Sequence, residues 1–327
     1  MPVAGRGPAG LHPHTGASPP DCRPAKDNQI PGKALSAGER TARVWFRVFN
    51  HKNLKQRADY GSIQRQTRRD YGCGQRYWQG AGNTLRARGH AGKLQALRDK
   101  LEGDGAEVRA QTLDVSNAAD YNAFAQQCIA ELGTPDLLFN NAGILRFGDT
   151  WSHTGDEWQK ILSINVMGVV NGLNAFVPAM LEAGKAAHIV NTGSVGSLVA
   201  APGMAQYTAV KMAVRGITEC LAYDLANQGA SIDVSLLCPG PVLTSISDEL
   251  LGIESGSAEV DPADHMMAGQ PDFITPDECA DRVFKAIRER RFWIFPHPFN
   301  DYLTAKTQAV INGENPVYQE VVFDAST

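Results

Sequence analysis

No two of the chain's six cysteines (Cys22, Cys73, Cys128, Cys220, Cys238, Cys279) have C-x-x-C spacing, which argues against a structural zinc site, and no metal is expected. Scattered thiols of this kind suit a reducing compartment and are expected to be free. The chain also lacks a long uninterrupted apolar run. Its most apolar long segment, residues 161–180, is broken by Asn165, Asn171 and Asn174, so it reads as a buried helix and not as a membrane span. No secretory signal peptide is legible at the start, and with no membrane partner in view the expected location is cytoplasmic.

Net charge is only −4, but it is unevenly spread: residues 1–90 carry 16 Lys and Arg against 5 Asp and Glu, the remainder 15 against 30. A basic arm can contact nucleic-acid phosphates, but this one has few aromatics and no recognisable motif, so no nucleic-acid partner is expected. It is also Arg-rich and acid-poor like a transit peptide. The prolines at 2, 8, 13, 19, 20, 24 and 31 prevent the amphipathic helix such a peptide needs. Residues 1–42 therefore read as a disordered basic extension.

From residue 91 the pattern is regular. Residues 91–102 have helical apolar spacing, and 108–115 alternate toward a strand ending at Asp114. Residues 117–132 form an amphipathic helix with Tyr121, Phe124, Cys128, Ile129 and Leu132 facing inward. An apolar strand over 136–140 runs into Asn141-Ala142-Gly143, and one long helix over 156–182 carries Asn165. Strands at 187–192 and 234–238 flank a helix at 203–227, and a helix at 275–291 leads to a short last strand at 292–295. The tail after 300 is uninformative. Strands alternating with helices predict a single α/β domain, a doubly wound parallel sheet, over 91–300 of the 327 residues, followed by a tail at 301–327.

The chemistry gathers between Asn191 and Lys211. Tyr207 and Lys211 stand at i and i+4, so both share one helix face, and Ser194 lies in the turn after a strand. A phenol of pKa about 10 is a poor acid or base near neutrality, but an adjacent cation favours its anion. Ser194 could hold a carbonyl or alcohol oxygen within reach of Tyr207. Alone, Tyr-x-x-x-Lys reads as an ordinary surface pair. Its neighbours decide otherwise.

Asp136-Leu137-Leu138-Phe139-Asn140-Asn141-Ala142-Gly143, then Asn165, Ser194 thirteen residues before Tyr207, and Pro239-Gly240-Pro241-Val242-Leu243-Thr244 after a strand resemble, in order and spacing, the classical short-chain dehydrogenases/reductases. The resemblance covers about residues 91–296. It implies a Rossmann-like fold and hydride transfer between NAD or NADP and a small-molecule alcohol/carbonyl pair. It further implies a catalytic tetrad at Asn165, Ser194, Tyr207 and Lys211, with Tyr207 as general acid/base. Asn165 would hold a water that relays protons, or would merely satisfy backbone groups.

By the same resemblance Asp114 touches the adenine ring; the residues alone equally allow a turn or N-cap. Asn141, Ala142 and Gly143 would let the cofactor approach the backbone, and Pro239, Gly240, Val242 and Thr244 would cup its nicotinamide end, while Tyr207 and Lys211 also contact it. The flank Val210, Val214, Ile217 and Leu221 could pack against another subunit of a homodimer or homotetramer. Leu250, Leu251, Ile253, Met266 and Met267, in a stretch resembling the variable substrate lid, hint at an apolar substrate or cover a core.

Residues 43–90 break the resemblance. Here the family places its first βαβ unit with a Thr-Gly-x-x-x-Gly-x-Gly phosphate loop, and neither the loop nor an acidic second-strand end is legible among Gly72, Gly74, Gly80 and Gly82. Degenerate codons written for residues 70–90 and read one base out of register permit Ile-Thr-Gly-Ala-Gly-Ser-Gly-Ile-Gly. The segment thus looks frame-shifted, with the first βαβ unit disrupted. The other reading is a non-catalytic relative that cannot bind a dinucleotide.

Overall fold

The computed structural model describes residues 94, 98, 99, 101–103, 108–244, 246 and 272–319. The basic extension, the 43–90 segment and the apolar residues of the expected lid lie outside these. Residues 94, 98, 99 and 101–103 are helical, and Leu101 is buried.

Helix α1 (Ala118–Leu132) starts where the Asn117 side chain accepts the amides of Ala119 and Asp120, satisfying two donors that the first turn leaves open. It ends at Gly133, whose φ of 85° suits glycine. Tyr121, Phe124, Ala125, Cys128 and Leu132 face the core at helical spacing.

Strand β1 (Leu137–Asn140) is followed by α2 (Gly155–Asn165) and α3 (Met167–Ala183). The single helix expected at 156–182 is therefore two, divided at Val166, where φ of −99° departs from helical values. Hydrogen bonds from Val166 to Leu162 and from Val170 to Val166 carry the helical run across the joint. Taken together, Gly155–Ala183 is long and apolar enough to cross a membrane, but Ile161, Phe176 and Met180 are each at most 1% exposed, in the core of this fold.

Strand β2 (Ala187–Thr192), helix α4 (Ala205–Asn227), strand β3 (Ile232–Leu237), helix α5 (Pro276–Arg288) and strand β4 (Trp293–Ile294) follow, and among the described residues the sheet has the order β1-β2-β3-β4 with every ladder parallel. Parallel strands are covered on both faces, and the alternation of side chains divides them accordingly. Leu138, Ile189 and Val234 join one cluster with residues of α1 to α4; Phe139, Val190 and Leu237 join another with Cys279, Val283 and Phe284 of α5. Helices on both faces make the fold a doubly wound α/β sheet. Burying each of the larger apolar side chains contributes roughly 1.5–3 kcal/mol.

Three expectations need correction. Residues 108–115 form no strand: Leu113 and Val115 are buried as the alternation requires, but no described strand pairs with the segment, and alternation alone cannot supply ladder hydrogen bonds. Val210 and Val214 are fully buried against the domain's own core, because the exposed face of α4 is a different stripe: Ala209, Met212, Gly216, Cys220 and Tyr223. The tail carries a further helix, α6 (Asn300–Ile311), which buries none of its residues and so shows no inward-facing stripe to read.

Candidate active site

Parallel strands deliver their carboxyl ends to one side of the sheet. The register pairs Asn140 with Asn191 and Thr192 with Leu237, so the segments leaving β1, β2 and β3 emerge together, where open α/β sheets hold ligands.

After β2 the chain turns at Gly193, where a Cβ would lie 2.6 Å from Ser197 Oγ and 3.2 Å from the Leu237 carbonyl. Only glycine fits. Ser194 then caps a 3-10 turn (Val195–Ser197), its Oγ accepting the Gly196 amide at 3.1 Å. Ser197, fully buried, accepts the Ser194 amide and donates to the Lys211 carbonyl at 2.9 Å, tying the serine turn to α4.

Helix α4 brings Tyr207 and Lys211 to this turn. A Cβ at Gly196 would lie 3.6 Å from the Tyr207 ring and 3.7 Å from Ser194 Oγ, so these two side chains are neighbours, and the Lys211 ammonium stands 5.5 Å from the centre of the Tyr207 ring. Lys211 is 4% exposed and donates a 2.7 Å bond to the Thr192 carbonyl. Burial lowers its pKa to about 8, and burial raises that of Tyr207, with Ser194 pulling the other way. Desolvation is therefore the dominant influence on the phenol.

Asn165, 1% exposed at the end of α2, clamps Ile144 from both sides: its Oδ1 accepts the Ile144 amide at 2.8 Å and its Nδ2 donates to the Ile144 carbonyl at 2.9 Å. This holds the chain leaving β1. A Cβ at Gly143 would lie 3.5 Å from Asn165 Nδ2 and 3.6 Å from Lys211 Nζ, so Gly143, Asn165 and Lys211 line one space. Asn141 accepts a 2.8 Å bond from the Thr192 hydroxyl, and Ala142 packs at the edge of the core beneath.

The loop after β3 joins from the other side. The Val195 amide donates to the Pro239 carbonyl at 3.0 Å, so Pro239 and Gly240 adjoin the serine turn. Val242 is buried and bridges to Ile274, and the Thr244 hydroxyl donates a long 3.4 Å bond to the Val242 carbonyl. Asp114 does not join this group in any described contact: its carboxylate accepts the Ser116 amide and hydroxyl in a turn leading into α1.

Four residues that sequence reasoning passed over take part. Thr192 and Ser197 anchor Lys211 and α4, His297 contacts the Gly240 loop, and Cys238 is a fully buried thiol whose pKa burial raises to about 12 while Ser194 and Ser197 pull it down. None stands at a spacing that marks a site. All four act through contacts between segments distant in sequence.

A family model described as short chain dehydrogenase matches residues 75–252, beginning inside the segment that the sequence alone left unread. A CLA biosynthesis dehydrogenase/reductase of Lactiplantibacillus plantarum is 34% identical over 224 residues, 65% of this chain and 78% of that protein. A short chain dehydrogenase/reductase from Burkholderia phymatum, solved with NAD, is 37% identical with a TM-score of 0.63, covering 71% of this chain and 86% of that one. A gluconate 5-dehydrogenase from Burkholderia cenocepacia, solved with NADP and tartrate, is 26% identical with a TM-score of 0.51, covering 61% and 78%. With the parallel sheet and the Ser194, Tyr207 and Lys211 cluster at its carboxyl edge, these matches assign the chain to the short-chain dehydrogenase/reductase family of oxidoreductases.

Proposed function

We propose that the protein interconverts a small-molecule alcohol and its carbonyl by hydride transfer with NAD or NADP, Tyr207 serving as general acid/base. The observation that carries this is the placing of the Tyr207 ring and the Ser194 hydroxyl side by side at Gly196, near a buried, hydrogen-bonded Lys211. Ser194 orients the substrate oxygen, and Tyr207 gives it a proton in reduction or takes one in oxidation. The Lys211 cation favours the tyrosinate that results. Asn165 fixes the chain after β1 through Ile144 and is the candidate support for a proton relay.

The nicotinamide half of a dinucleotide fits these residues. An ammonium has three N–H bonds to place and the Thr192 carbonyl takes one, while the missing Cβ of Gly143 leaves room beside Lys211 for ribose hydroxyls. Asn141, Ala142 and Gly143 would line that side, and Pro239, Gly240, Val242 and Thr244 the other. When bound, the nicotinamide supplies or accepts the hydride. Asp114 is the candidate contact for the adenine ring, at the end of 108–115. The exposed apolar stripe on α4 supports a homodimer or homotetramer, and the four described cysteines, all free, support a reducing, cytoplasmic setting.

A Tyr207→Phe variant tests the reading. Its rate is expected to fall roughly a hundred- to ten-thousand-fold with the fold intact, the scale of a lost general acid/base. An unchanged rate on an alcohol that the wild-type chain oxidises would refute it.

The second reading, a non-catalytic relative, is favoured by one observation: the glycines at 72, 74, 80 and 82 follow no apolar strand. It requires that micromolar chain leave NADH and NADPH fluorescence unchanged. Independent determination of the nucleotide sequence spanning residues 61–93 then separates the causes: a frame error would return the phosphate loop to the intact gene, and an unbroken frame would leave the loop absent.

A further inference from the structure

We propose that His297 is a positioning residue that fixes the Pro239-to-Thr244 loop as one wall of the cofactor site, through two hydrogen bonds from opposite sides of its ring. The proposal rests on the reading that this loop faces the nicotinamide. Pro239 and Pro241 have no N–H, so Gly240 carries the sole amide donor of the three residues. That amide donates to His297 Nδ1 at 3.0 Å, and Nε2 stands 3.0 Å from the Pro241 carbonyl.

The chemistry fixes the tautomer. An amide N–H can only donate, so Nδ1 is the bare nitrogen; a carbonyl can only accept, so the proton sits on Nε2. One neutral ring thus satisfies a donor and an acceptor a residue apart in the same loop. The other side of the loop is held by backbone: Leu243 donates to the Ile274 carbonyl at 3.0 Å, and Ile274 to that of Pro241 at 3.3 Å. The Val195 amide, one residue after Ser194, grips Pro239. His297 is thereby coupled to the serine turn through Gly240, Pro239 and Val195.

His297 is itself well placed for the task. It is 0% exposed, it follows β4 by three residues, and Arg282 of α5 donates to the neighbouring Pro296 carbonyl. A second proton on Nδ1 would face the Gly240 N–H and break the clamp. Burial opposes that proton and lowers the pKa to about 4; Arg282 acts in the same direction, while the Pro241 carbonyl and Asp272 oppose it.

Three variants of the full chain test the assignment. His297→Phe keeps a ring but neither bond; His297→Asn keeps an acceptor near the Nδ1 position; His297→Gln keeps a donor near the Nε2 position. NADH affinity, read by fluorescence titration, is expected to fall about tenfold in the Phe variant, the scale of one lost hydrogen bond, and to be restored furthest by Asn. Nitrogen NMR of the wild-type imidazole is expected to show the Nε2–H tautomer, and hydrogen exchange to show a Gly240 amide protected in wild type and in Asn but not in Phe.

Equal affinity in wild type and Phe, equal affinity in Asn and Gln, or an Nδ1–H tautomer would each overturn the proposal. Should the Phe variant fail to fold, the comparison of Asn with Gln decides. Should wild-type chain bind no dinucleotide at all, the proposed activity falls, and the clamp is judged by the tautomer and the Gly240 exchange alone.

Discussion

The Lys211 ammonium is joined to the carbonyl of Thr192, the last residue of β2, by a 2.7 Å hydrogen bond, so the helix that carries Tyr207 is pinned to the end of the strand that leads to Ser194. This single bond sets Tyr207, Ser194 and the Lys211 cation in one frame. It also places an ionisable group where water does not reach.

Replacing Lys211 with Met should abolish most turnover while leaving the fold as stable near pH 7, because the buried cation is costly to keep. The sign follows from its pKa of about 8, below the ordinary 10.5. A lowered folded value favours the uncharged form, so the stability Lys211 contributes is fully present above 10.5 and is lost as pH falls through about 8. Melting temperatures measured from pH 7 to 10 should therefore rise for wild type relative to Lys211→Met. Parallel curves would contradict the burial of this charge.

Acid should destabilise the domain through His188. Its Nε2 lies 2.7 Å from the Ser235 hydroxyl, which itself donates to the Arg291 carbonyl, so Nε2 carries the proton; Nδ1 is buried and has no hydrogen-bond partner among the described residues. Burial lowers the pKa to about 4, with Asp233 opposing and Arg290 assisting. The contribution, about 3 kcal/mol, is fully present above pH 6.5 and disappears between 6.5 and 4. A His188→Gln variant, followed by denaturant unfolding across that window, should lose correspondingly less stability. The buried His297 titrates in the same range and will supply part of the remaining slope.

Gly193→Ala should damage fold and chemistry together. The added methyl meets Ser197 Oγ at 2.6 Å and Leu236 Cδ1 at 3.0 Å, so the serine turn has to move away from β3. Strain of this kind costs about 1–3 kcal/mol. Thermal unfolding gives the first effect, and the rate at saturating substrate gives the second, through displacement of Ser194. A variant with wild-type rate would mean that the turn relaxes without moving Ser194.

Met212→Glu should weaken self-association. Met212 is 42% and Tyr223 64% exposed on the same face of α4, together with Ala209, Gly216 and Cys220. A charge placed in an apolar contact between copies is left without a partner. Sedimentation of wild type as an oligomer and of the variant as a monomer is the expected outcome; identical sedimentation would remove this face from consideration.

The parts of the fold legible from sequence were those decided by local periodicity and capping. Strand β2 is legible to its ends because five of its six residues are buried, and the start of α5 because Thr275-Pro276-Asp277-Glu278 is a complete capping box with proline at the first helical position; its end at Arg288 falls three residues short of the expected one. Residues 108–115 misled because alternation reports which side chains are buried, not whether a neighbour exists to pair with. The α4 flank misled because apolar residues occupy most of that helix, and only packing separates Val210 and Val214 from Met212. Ser194, Tyr207 and Lys211 are found as residue types at fixed spacings. Thr192, Ser197 and His297 are not, since Thr192 works through its own carbonyl and Ser197 and His297 through backbone groups in another segment.

Because the four described strands run in one direction, each contributes to the site only by where it stops. A crossover could gain or lose residues without moving the serine turn, so long as β2 keeps its alignment with β3. Alignment itself is unforgiving: a slip of one residue would exchange the two faces of β2, turning Val190 toward α4 and Ile189 toward α5. The sheet thus works as an indexing rack, rigid along the hydrogen-bonded direction and indifferent to what hangs between its stops.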